Sequence, residues 1–416
     1  TLATSAVKGS AAGDYPITVT GGTSANYTLT RTDGTLTVKA AVLTVKAEDK
    51  SRVYSDSTQP FTWTVSGLAD GETLASSGVT GSPALSTTAT SDSPAGTYPI
   101  TPSKGTLAAS NYSFVFAGGT LTVLKEIAKI EYTGDTLVST GSTSTSSTAP
   151  LRMSAVVTEE ADGALGSRLG STKVLFTLLD FNGNPKTSCV GTVAAPSPYT
   201  GKGTVGCNLS GITANNYTVQ MSLQVNGWYE APVENAAATV VNSGTGFTTG
   251  GGWFTEPQLG SRSNFGFTAK YLKNGGVQGN SLYIFRKSVG AGSVASPTGG
   301  FLPAGQYNWI IKSNSMTGLL QAKSTSCPTA TLACKATFTG KSNVTAVNRQ
   351  TGVAYSLGGN RQFQVDVTDL GEPGSKSAPV PDTYALRVWD GSGTYYQVGS
   401  PTSQKALEGG NIQVRP

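Results

Sequence analysis

Apolar side chains fall at every second position in short runs along most of the chain, and the runs are bounded by Gly, Ser, Asn, Asp and Pro. Leu43 and Val45 alternate with Thr44 and Lys46, and Phe61, Trp63 and Val65 with Thr62 and Thr64. In the next stretch Ala128, Ile130 and Tyr132 point one way and Ile127, Lys129 and Glu131 the other. A period of two puts neighbours on opposite faces of a pleated strand, so these runs predict half-buried strands. Val174, Phe176 and Leu178 share one face of a strand leading into a turn at 180–185, and Ala214-x-x-Tyr217 with Val219 and Met221 forms another, with Tyr217 placed for a tyrosine corner. Between them the Ser/Thr/Gly run 139–147 predicts a loop. Beyond a glycine-rich entrance, 250–254, strands are predicted at 264–271, 279–286, 307–311, 336–340, 363–367 and 384–390. Phe265, Phe267, Ala269 and Tyr271 share a face in the first of these.

The chain also resembles itself. Ala12-Gly13-Asp14-Tyr15-Pro16-Ile17-Thr18 recurs as Ala95-Gly96-Thr97-Tyr98-Pro99-Ile100-Thr101, offset by 83 positions. Asn26-Tyr27 recurs as Asn111-Tyr112, and Gly34-Thr35-Leu36-Thr37-Val38 as Gly119-Thr120-Leu121-Thr122-Val123, offset by 85. A period of this size means tandem domains and not a solenoid. The reading divides the chain at 1–39 (the later half of a repeat), 41–125 (a complete repeat), 126–242 (a third module) and 244–416 (a C-terminal domain). Short linkers, Lys39-Ala40-Ala41 and Lys125-Glu126, leave little slack between modules. Leu2 aligns with Leu85, so the counterpart of 41–83 is missing from the first copy. Half a sandwich leaves a face and an edge open. Three explanations stand: further repeats upstream, strands supplied by another subunit as in donor-strand polymers, or a swapped or unfolded remnant.

The motifs of residues 1–125 resemble the MBG family of bacterial immunoglobulin-like repeats: an Ala-Gly-x-Tyr-x-Ile strand, an Asn-Tyr turn, a Gly-x-Leu-x-Val strand, and Val65-Ser66-Gly67-Leu68 with Asp70-Gly71-Glu72. The family's Tyr-Gly-Asp-like turn is Tyr54-Ser55-Asp56 here, without its Gly. Residues 126–242 resemble bacterial Ig-like domains more loosely. The strand motifs of 244–414, ending in Gly409-Gly410-Asn411-Ile412-Gln413-Val414, resemble the post-COAP-1 domain. These resemblances imply an all-β fold of tandem immunoglobulin-like β-sandwiches followed by a larger β-sandwich or jelly-roll-like domain. They also imply a secreted bacterial surface protein, structural or adhesive, and an architecture more than an activity.

Composition sharpens this picture. With 416 residues the chain holds several cores, and 52 Gly beside 13% charged residues favours turns and pleated surfaces over helices. The net charge of +5 is dispersed, which argues against nucleic acid as a partner. No apolar run is long enough for a membrane span, and Thr1 does not open a signal peptide, so no membrane contact is expected of this chain. Four cysteines in two close pairs, Cys189 with Cys207 and Cys327 with Cys334, predict two local disulfides, the first pinning a hairpin.

The absence of His removes imidazole bases, His-dependent triads and His-ligated metals, and no cofactor is expected. Asp366 with Asp369, or Asp382 with Asp390, could in principle form a glycosidase-like pair, but acids at strand ends more often cap turns, so the chain is not expected to be an enzyme. Asp180, Asn182 and Asn184 lack the spacing of a calcium loop and read as a turn. Aromatic faces flanked by polar groups can stack on sugar rings, which makes Trp253, Trp309, Trp389, Tyr395 and Tyr396 the candidates for binding surface glycans. Asn26, Asn111, Asn208, Asn216 and Asn343 lie in sequons whose use is left open, as are isopeptide links. The expected partners are the chain itself, through strand exchange or end-to-end assembly of a stalk or filament, and surface glycans.

Overall fold

Alternation of apolar and polar positions is what the chain folds on. In the computed structural model every regular element among the described residues is a strand except one short 3-10 turn, Leu169–Ser171. Residues 1–416 are described except positions 70, 243, 245, 257, 295–300, 322–332, 372–379 and 416, so Asp70 of the Asp-Gly-Glu motif lies outside the described residues. The chain forms two compact units, Thr1–Glu126 and Ile127–Pro416.

In the first unit the complete repeat is a two-sheet sandwich. One sheet orders Trp63–Ser66, Ala41–Ala47 and Tyr112–Ala117. The other orders Lys50–Val53, Gly119–Leu124, Gly96–Ser103 and Ala84–Thr87. Leu43 and Val45 from the first sheet meet Ile100, Leu121 and Val123 from the second, all buried, while the intervening Thr and Lys residues face outward. Ser55 takes a φ of 70°, the left-handed conformation that Gly adopts without steric cost, so the residue standing in for the family's Gly keeps the shape of the turn. Its hydroxyl donates to the Glu126 carboxylate at 2.9 Å.

The preceding half copy is a three-stranded sheet of Leu2–Thr4, Gly13–Val19 and Gly34–Val38. It repeats the register of the complete copy: Tyr15 sits opposite Leu36 as Tyr98 sits opposite Leu121. With no second layer over it, Leu36 is 39% exposed where Leu121 is 0%.

The second unit begins with another sandwich. One sheet orders Lys202–Thr213, Thr148–Glu159, Glu126–Tyr132 and Tyr229–Glu230. The other orders Leu137–Ser139, Glu234–Val241, Asn215–Leu223, Lys173–Leu179 and Pro185–Thr192. Val174, Phe176 and Leu178 are buried against Ile130, Met153 and their neighbours, on the face the alternation assigns them. The strand Glu234–Val241 is buried at every position, because its second face packs on the C-terminal domain.

That domain is a single antiparallel sheet of eleven strands. Its path runs from Gly393–Val398 through Thr383–Asp390, Arg361–Asp369, Cys334–Asn348, Gly305–Gln321, Val277–Val289, Ser261–Tyr271 and Phe247–Glu256 to Gly409–Arg415. The sheet curls until its own halves face each other as two layers: Phe265 stacks on Tyr384, 4.2 Å between ring centroids, although their strands lie near opposite ends of the order. The inner face is a continuous core of Phe254, Phe267, Tyr283, Phe338, Val365 and others. One terminal segment links the two ends, since Lys405–Ala406 pairs with Thr383–Asp390 and Gly409–Arg415 pairs with Phe247–Glu256.

At the glycine run 250–252 backbones approach closely. A Cβ on Gly251 would lie 1.9 Å from the Thr136 carbonyl oxygen, and one on Gly266 2.4 Å from Thr239 Oγ1, so at these positions the third module settles on the sheet because side chains are missing.

Candidate functional site

Cys189 and Cys207 are bridged with their Cα atoms 6.2 Å apart. The expected hairpin is replaced by a cross-sandwich link, because Cys189 lies on the edge strand Pro185–Thr192 of one sheet and Cys207 on the edge strand Lys202–Thr213 of the other. Cys334 is also disulfide-bonded; Cys327, its expected partner, lies outside the described residues.

Two of the five aromatic candidates lie on the covered inner face of the large sheet, and three are half-buried. Trp309 is 4% exposed and Tyr396 stacks on Phe285 at 4.3 Å, so both belong to the inner face of the large sheet. The other three are half-buried with a guanidinium against the ring: Arg262 over Trp253 at 3.5 Å, Arg387 over Trp389 at 5.3 Å and Arg361 over Tyr395 at 4.0 Å. Alternation identifies a strand, but it does not say which of its faces is the core.

The strand-end acids hold backbone and side chains. Asp382 accepts the Leu370 and Ile412 amides, each at 2.7 Å, and Asp369 accepts those of Gly371 at 3.0 Å and Val414 at 2.9 Å. Both carboxylates therefore fasten the terminal strand. Asp366 accepts from Thr337 at 2.6 Å, and Asp390 pairs with Arg361 at 3.1 Å. Asp180 accepts the amides of Asn182 and Asn184, each at 2.9 Å, which holds its carboxyl below the usual range, the Asn184 amide contributing most. Glu256, 2% exposed, accepts from Tyr396 at 2.7 Å and Ser263 at 3.2 Å, and burial raises its pKa despite these bonds.

The densest polar chemistry lies where sequence reasoning gave no signal, along the seam between the third module and the outer face of the large sheet. At one end the buried Glu234 carboxylate takes Arg286 Nε at 3.2 Å and Arg349 Nη2. Arg286 also donates to Asn264 Oδ1 at 2.7 Å and the Asn235 carbonyl at 2.6 Å. Burial lowers Arg286 to about 10, still charged at neutral pH. Arg262 reaches across to the Tyr132 carbonyl at 2.7 Å and pairs with Glu131, beside a cavity of about 310 Å³. Cations and carboxylates are matched there, so this end is a cross-link. Asn308 Nδ2 to the Val233 carbonyl at 3.0 Å and Asn216 Nδ2 to the Asn280 carbonyl at 2.8 Å continue it.

At the other end the seam opens into a groove of about 680 Å³ between the turn carrying Phe181 and the strands carrying Lys312 and Asn343. Its walls are amides and hydroxyls with one ammonium group and no carboxylate. Among the described residues no cluster of His, Cys, Asp or Glu could hold a metal ion, and no helix is long and apolar enough to cross a membrane.

The family model of the MBG domain (YGX type) matches residues 1–37 and 43–122. The first two modules are thus MBG-type repeats, the first represented by its later half. No curated protein matches the chain.

Proposed function

We propose that this chain is a non-catalytic structural and adhesive segment of a secreted bacterial surface protein, a multidomain stalk or fibre component. The observation that carries the reading is the tandem MBG-type match over the first two modules, a repeat that points to extracellular surface proteins. Four features support it. Disulfides at Cys189, Cys207 and Cys334 suit an oxidising exterior. The strand-end acids are engaged in fastening the fold. The seam between the third module and the large sheet gives the second unit the cross-links of a load-carrying element. The C-terminal strand motifs, similar to the post-COAP-1 domain, agree with a place at the end of a large secreted protein.

Protease shaving of intact expressing cells tests this. Antibody against the chain should lose its signal before lysis, and protection until lysis would contradict the proposal.

The exposure of Leu36 beside the buried Leu121 favours one further reading, a filament subunit whose first module is completed by strands from another copy. Native mass spectrometry at micromolar concentration should then show oligomers, and a purely monomeric chain would remove this reading.

A further inference from the structure

Three features of the open groove at the seam together describe a ligand. First, Lys312 is the one charged residue in its lining, and it makes no ion pair among the described residues. Its ammonium lies 5.8 Å from the centre of the Phe181 ring. The nearby Asp180 carboxylate is held by backbone amides and acts on this ammonium through its charge without an ion-pair contact. Second, two of the lining residues, Thr218 and Asn235, are each 1% exposed, and Thr218 Oγ1 and Asn235 Oδ1 have no hydrogen-bond partner. A buried polar atom without a partner costs roughly 1–3 kcal/mol. Third, Phe181, Ile310 and Val347 make an apolar strip, and the amides of Asn182, Gln220, Asn314 and Asn343 flank it.

An apolar strip bordered by neutral amides and hydroxyls matches a pyranose ring, which has an apolar face and a rim of hydroxyls. The volume lies within the range of roughly 300–1,000 Å³ usual for small-ligand sites and suits about two or three such rings. The strands carrying Lys312 and Asn343 are paired on both sides, so neither offers an edge to an added peptide strand. A single cation is also too little for a nucleic-acid backbone.

We propose that this groove binds a short acidic oligosaccharide, with sugar rings on the Phe181 strip, hydroxyls on the flanking amides and a carboxylate against Lys312. The proposal places glycan recognition away from the five aromatic residues singled out in the sequence. It is also independent of the stalk reading, since a chain that binds no sugar can still serve as a spacer.

Calorimetric titration of the full chain with trigalacturonate, and with uncharged maltotriose, tests it. Trigalacturonate should bind saturably, about tenfold or more weaker to Lys312→Gln and to Phe181→Ala. Trp389→Ala, altering an aromatic that does not line the groove, should bind like the parent, and maltotriose should bind the parent more weakly and ignore Lys312→Gln. Matching melting curves check that each variant is folded. Because Phe181 sits half-buried in a turn and Lys312 is only half-buried, at least one of the two is expected to fold. Absence of trigalacturonate binding up to roughly 10 mM, or binding that Lys312→Gln leaves unchanged, would overturn the proposal.

Discussion

Glu234 shows how much can hang on one side chain. It is 3% exposed and neutralises two guanidinium groups that are themselves largely buried, so its removal leaves charge without a partner in a poor solvent for charge. Glu234→Ala is expected to destabilise the second unit by about 3–5 kcal/mol in urea denaturation and to leave the first unit's transition in place. Glu256 works in the opposite sense. Its folded-state pKa lies above the ordinary 4.5, chiefly through burial, so its contribution is most favourable below that value and is lost as pH rises through the folded value. The stability difference between the parent and Glu256→Gln should therefore shift in favour of Gln between pH 4 and pH 8. A difference independent of pH would show that the carboxyl is not desolvated as described. At Ser55 the cost is one of backbone shape: a β-branched residue is poorly suited to a φ of 70°, and Ser55→Val should lower the first unit's stability by about 1–2 kcal/mol.

At the scale of elements, the strands were legible because one face of each is wet, and the period of two survives wherever that holds. It fails in the strand Glu234–Val241, where Ala236, Ala237 and Ala238 are all buried, since both faces have a partner and the sequence has no reason to alternate. The seam was invisible for the same reason, and its charged residues are scattered along the chain from Glu131 to Arg349. Alternation fixes which residues share a face but not whether that face is covered, so the place of Trp309 and Tyr396 on the inner face was not legible. One signal was present and missed: Tyr15, Tyr98, Tyr217 and Tyr307 each donate to the carbonyl four residues earlier at 2.8 Å, and the Pro-Ala-Gly-x-Tyr of 94–98 is repeated at 303–307. The tyrosine corner expected at Tyr217 thus belongs to every module. The terminal strand depends on a different device, two buried carboxylates. Asp382→Ala should release the Ile412 amide to faster hydrogen exchange and cost roughly 3 kcal/mol, while the amides that pair Ser261–Tyr271 with Val277–Val289 stay protected.

The molecule as a whole is two compact units, and the second is more than the sum of a module and a domain. Interlocked glycines, the Glu234 cross-link and the hydrogen bonds of Asn216 and Asn308 join residues 127–242 to 244–416. A unit built this way should yield to force as one body. Stretching single molecules of the full chain tests that directly. The account predicts that the second unit opens in one step, releasing on the order of 100 nm of chain less the part held by disulfides. Two well-separated steps, one for the third module and one for the C-terminal domain, would contradict it.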